Sequence, residues 1–76
     1  MNEQRRKQIN DALDQIRNAV SDLEQARDDE QDYYDNMPES LQTGDKGQTA
    51  EQAVSYLEDA IGDIENAISS AESATE

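Results

Sequence analysis

The sequence predicts an all-α protein: an antiparallel helical hairpin, with two hairpins pairing into a four-helix bundle. Three observations predict it. Val54, Leu57, Ile61, Ile64, Ile68 and Ala71 recur at alternating spacings of three and four, the period of a helix that shows one apolar stripe. Ile9, Leu13, Ile16, Val20 and Leu23 do the same earlier, and the slots continue as Arg27, Glu30, Tyr34 and Met37. Beside each stripe runs a second line at seven-residue intervals: Ala12, Ala19, Ala26 and Tyr33, then Ala53, Ala60, Ala67 and Ala74. In heptad letters the large residues fill a (Leu13, Ile61) and d (Ile16, Ile64), and alanine fills g. A stripe three positions wide in seven is that of a bundle helix, wider than a two-helix seam needs. Alanine in it lets a neighbouring helix come close.

The elements follow in order within one domain, residues 1–76. Helix one runs over about 4–36. Pro38 has no N–H to return to the carbonyl of Tyr34 and biases Met37 out of helical geometry, so the helix stops there. The connection spans 37–48. Pro38 to Gln42 form one helical turn, with Leu41 folding back over the end of the core, and Gly44-Asp45-Lys46-Gly47 is turn chemistry. Helix two runs over about 49–74, opened by Thr49 as N-cap with Gln52 three residues on. A connection of about twelve residues is long where 2–8 is usual, which marks it for attention.

Charge supports the antiparallel pairing. Helix one opposes its own dipole, basic at the start (Arg5, Arg6, Lys7) and acidic at the end (Asp28, Asp29, Glu30, Asp32, Asp35). An antiparallel second helix sets its positive N-terminus beside those acids and brings Glu72 and Glu76 near the basic tail. Self-association is expected for a further reason. A chain of 76 residues buries too little alone, and without cysteine or histidine neither disulfides nor the usual zinc, copper and iron ligands are on offer.

The segment Tyr34-Asp35-Asn36-Met37-Pro38-Glu39-Ser40-Leu41-Gln42, followed by Gly47 and the heptads of 53–68, resembles small helical-hairpin proteins of bacteriophages and prophages, over roughly residues 9–70. The resemblance implies a viral or mobile-element origin and assigns no residue roles.

The formal charge of −13 repels nucleic acid and anionic lipid, and attracts a basic protein surface. No apolar run approaches the ~20 residues of a membrane span and no secretory apolar region follows the N-terminus, so the expected place is the cytoplasm, that of the host if the origin is a phage. With no histidine, no cysteine and no cleft to separate the pKa values of a carboxylate pair, the chain reads as a non-enzyme without cofactor. The acids of 28–35 spread around a helix and lack a calcium-loop glycine, so no metal site is expected.

Two sets of candidate residues remain. Tyr56, at position c, with Asp28, Asp29, Asp32 and Asp35, suits a binding surface for a basic partner. Arg27 and Glu30, charged at a and d, pair with each other or across a dimer axis to fix register. Alternatively, with Tyr33, Tyr34 and Lys46, they line a polar ligand pocket. The leading functional expectation is a self-associating interaction protein that inhibits a host defence or transcription protein as a nucleic-acid mimic. The alternatives are an oligomeric sponge for a nucleotide signal and a purely structural oligomerisation module.

Overall fold

A computed structural model describes residues 1–76, and all of its regular structure is helical. Helix α1 (Glu3–Asp35) contains neither glycine nor proline. Asn2 caps it, its side-chain carbonyl accepting the Arg5 N–H at 2.8 Å. It ends where Pro38 requires: Asn36 N–H still reaches the Asp32 carbonyl, and Met37 N–H the Tyr34 carbonyl. A one-turn helix, α2 (Glu39–Gln42), follows, capped by Pro38. Helix α3 (Asp45–Ser73) then runs back along α1.

The pairing is antiparallel. Leu13, Val20, Ile61 and Ile68 form one buried cluster, with Ile9, Leu23, Ile64 and Ala71 packed at its margins. At the open end of the hairpin Arg6 Nε donates to the Thr75 carbonyl at 3.2 Å. The result is a rod with extents of 58 × 15 × 13 Å.

Three expectations about the connection need correcting. Helix α3 begins at Asp45, four residues before Thr49, so Thr49 is an exposed residue inside the helix and not its N-cap. The cap is Gly44, whose carbonyl accepts the Gln48 N–H at 3.0 Å. The reason lies at Gly47. A Cβ there would fall within the backbone of Gln42, so Gly47 serves close approach between α3 and α2 and not a turn. With Gly47 and Ala50 both buried, the stripe of α3 extends through them at positions a and d. The connection shrinks to 36–44, and Gln42 clasps it: its Nε2 donates to the Tyr34 carbonyl at 3.1 Å, a second donor on the oxygen that also accepts the Met37 N–H. Leu41 does not cover the core. It is 50% exposed, because the turn of α2 that lets Gln42 dock directs Leu41 outward.

Only seven of 76 residues are buried, six of them at position a: Leu13, Val20, Gly47, Val54, Ile61 and Ile68. The hairpin contact is therefore centred on a. Apart from the buried Ala50, position d sits at the margin, with Leu23, Leu57 and Ile64 half-buried and Ile16 39% exposed. Position g lies outside: Ala12, Ala19, Ala26, Ala67 and Ala74 are exposed, and Ala53 and Ala60 half-buried. The close helix approach that the alanine lines foretell is not made between the two helices of one chain.

Candidate functional site

On a helical wheel, positions e and g flank the a/d stripe on opposite sides, so an antiparallel hairpin has an e side and a g side. The e side is acidic. Glu51, Glu58, Glu65 and Glu72 follow one another along α3 at seven-residue intervals, ~10.5 Å apart at 1.5 Å per residue. Glu24 joins them from α1, facing the same open depression as Glu65 and Glu72 beside Val20 and Ile68. One base serves this row: Arg17 reaches Asp14 at 3.3 Å on its own helix and Glu72 at 3.5 Å across the seam. Nearer the connection, Glu51 and Glu58 line a second depression with Gln31 and Tyr34. The Tyr34 phenol is held above its ordinary pKa, first by its hydrogen bond to the Glu51 carboxylate, then by desolvation and by the charges of Glu51 and Asp35.

The residues singled out from sequence are distributed less compactly than expected. Tyr56 is the most exposed of the large hydrophobic residues, at 71%, on the g side of α3. Asp28, Asp29, Asp32 and Asp35 are all exposed, but they occupy b, c, f and b around the outside of α1. Only Asp29, at c, turns toward the side that carries Tyr56. Arg27 is half-buried and does not pair with Glu30; its guanidinium holds Asp28, with Nη2 at 3.1 Å. The neighbour offered a carboxylate without asking Arg27 to cross the stripe. Glu30, also half-buried, makes no ion pair. Glu30, Tyr33 and Lys46 do share one depression, together with Asp45, Thr49 and Ala50. Arg27 and Tyr34 stand outside it, Tyr34 on the opposite side of the seam.

The basic tail also pairs differently. Arg6 holds Glu3 at 2.7 Å and Lys7 holds Asp11 at 2.7 Å, both within α1, which raises the Lys7 pKa through the hydrogen bond and charge of Asp11. It is Arg17, not the tail, that meets Glu72. No group of three acids converges as a metal would need, and no helix is long and apolar enough to cross a membrane. What the rod offers chemically is a row of carboxylates on one side and an apolar strip on the other.

The glutamate row was missed in the sequence, although its signal is there: position e of the second heptad series is glutamate four times running. No family model, curated protein or solved structure matches this chain.

Proposed function

We propose that this chain is a non-catalytic interaction protein of phage or mobile-element origin. It is a self-associating acidic bundle that acts in the host cytoplasm, occupying the nucleic-acid-binding surface of a host defence or transcription protein. The observation that carries this reading is the row Glu24, Glu51, Glu58, Glu65 and Glu72, largely unneutralised, along a rod 58 Å long. A duplex carries one charge per ~1.7 Å of its axis. A net charge of −13 over 58 Å is one per ~4.5 Å, too sparse for a mimic, but two chains side by side give one per ~2.2 Å. Mimicry and self-association therefore support each other.

The test is capture from a host lysate followed by competition. A nucleic-acid-binding protein should be retained, released as salt rises, and displaced by duplex DNA. Changing Glu51, Glu58 and Glu65 together to Gln should weaken its retention. Retention indifferent to salt, DNA and these substitutions would refute the mimic.

One observation favours a nucleotide sponge instead: Lys46 and Tyr33 share a depression and could take a phosphate and a base. Glu30 and Asp45 in that same depression repel an anion, which ranks this reading second. A nucleotide released from the purified protein by denaturation would reverse the order.

A further inference from the structure

The hairpin leaves its g side without a partner, and three features of that side indicate what covers it. First, it is apolar across both helices. Ile16 is exposed; Leu23, Leu57 and Ile64 are half-covered beside the two alanine lines, and no g position in either helix carries an acid. Among 19 acids in 76 residues that vacancy is specific to this side.

Second, the bases are sorted. Arg6, Lys7, Arg17 and Arg27 are all engaged in ion pairs within the chain. The two that are not, Arg5 and Lys46, are the two that stand at g, one near each end of the strip. Unpaired bases at the ends of an apolar strip on a strongly acidic chain fit an acidic occupant.

Third, the surface is in excess. A compact monomer of 8.5 kDa exposes about 4,650 Å². This chain exposes 5553 Å². The surplus of about 900 Å² matches the roughly 800 Å² per partner of a standard stable interface.

We propose that the g side takes a second copy of this chain, inverted end for end, so that α1 packs on α1 and α3 on α3 about a two-fold axis near Ala19 and Ala60. The proposal rests on the self-associating bundle of the preceding section and specifies how it is built.

Two hairpins laid face to face by a two-fold axis have two choices. With closed ends together, α1 of one lies over α3 of the other; inverted, each helix lies antiparallel on its own copy. Charge distinguishes them. The closed end, residues 27–51, carries eight acids against two bases; the open end, residues 1–17 and 65–76, carries six against four. Stacking closed ends brings the two most negative regions together, whereas inversion sets each against the milder open end.

The g line of α1 also reads as its own complement about Ala19. Seven residues either side, Ala12 meets Ala26 of the second copy. Fourteen either side, Arg5 meets its Tyr33, with Asp29 and Glu30 of that copy one turn away. A guanidinium there finds both an aromatic face and carboxylates. Glu30, unpaired within its own chain, gains a partner. The levels agree as well. Counting inward from the Arg6–Thr75 contact, Ala19 is thirteen residues away and Ala60 fifteen, a difference of ~3 Å in height, so one axis passes close to both.

The chain has no cysteine, so single-cysteine variants report the arrangement directly. Ala19→Cys, treated with a short bis-maleimide at micromolar protein, should cross-link to itself. The expected rate is about a thousandfold above collision, the ratio of a millimolar effective concentration to a micromolar one. Ala12→Cys alone should not, because its copies lie ~21 Å apart in the inverted dimer. A mixture of Ala12→Cys with Ala26→Cys should.

If Ala19→Cys links to Ala60→Cys in a mixture but not to itself, the closed ends stack together and the inversion is wrong. If the protein sediments as a dimer and none of these pairs link, the g side is not the interface. In both cases self-association survives. A monomer at micromolar concentration overturns the self-association reading together with this inference.

Discussion

The two sides of this hairpin share one seam and one set of buried residues, yet they present opposite surfaces. The e side carries Glu24, Glu51, Glu58, Glu65 and Glu72 beside the seam, with Arg17 as the single base among them. The g side carries alanines with Ile16 and the half-covered Leu57 and Ile64. The buried cluster of Leu13, Val20, Ile61 and Ile68 is indifferent to the distinction. The difference teaches that in a two-helix rod the flanking positions decide what surface each side presents, while a holds the two helices together.

The largest effect should come from removing what both sides share. Ile61→Ala takes a 5%-exposed side chain from the centre of the seam and should cost ~2–5 kcal/mol in chemical unfolding. Both the glutamate row and the alanine strip lose their scaffold, so self-association and partner binding should fall together. If one survives intact, it does not depend on the hairpin.

Ala19→Leu separates the sides. Ala19 is exposed on the single chain, where the change should move stability by no more than ~0.5 kcal/mol. Packed against a second copy, the larger side chain should cost ~1–3 kcal/mol and weaken the dependence of melting temperature on concentration. A variant that melts and sediments like the parent would show that g faces water.

Glu58→Gln acts on the other side. Glu58 has Glu51 and Glu65 ~10.5 Å away on either hand, a repulsion of ~0.4 kcal/mol each in water. Neutralising it should therefore stabilise by ~0.8 kcal/mol at low salt. At physiological ionic strength, with a screening length of about 8 Å, the gain should shrink to ~0.2 kcal/mol. Paired melts at low and high salt read the difference; equal gains in both would mean that the row does not repel itself.

The smallest effect is at the alkaline limb. Because the folded pKa of Tyr34 lies above its unfolded value, its bond to Glu51 contributes stability in full below pH about 10 and loses it as pH rises through the folded value. Tyr34→Phe should lower stability slightly at neutral pH and leave a flatter decline above pH about 10. An unchanged alkaline limb would place the phenol away from Glu51.

Much of this was legible from spacing. The heptads of 9–23 and 54–71 and the stop before Pro38 give two long helices and their direction of packing. The start of α3 was not legible at Thr49, because Gly44 and Gly47 read alike as turn residues. Only the approach of the Gln42 backbone shows that Gly47 is a helical residue lacking room for a Cβ. Leu41 was misplaced for a related reason: the docking of Gln42, a polar residue, sets the orientation of α2. The Arg27–Glu30 spacing suggested a pair, but Asp28 lay nearer. Spacing encodes which residues share a face. It does not encode which backbone atoms come close, or which of several acids a guanidinium meets first.

The clasp at the closed end has a consequence for the order in which the rod assembles. Gln42 and Tyr34 are eight residues apart in the chain, whereas Arg6 and Thr75, at the open end, are 69 apart. Every step along the rod away from the clasp joins residues more distant in sequence, so the entropy of closing the loop is least at Gly47 and grows toward the termini. We expect the hairpin to zip from the clasp outward, and to fray in the reverse order. Amide exchange should then be slowest around Val54 and quicken toward Ile9 and Ala71. Uniform protection along both helices would show instead that the rod opens only as a whole.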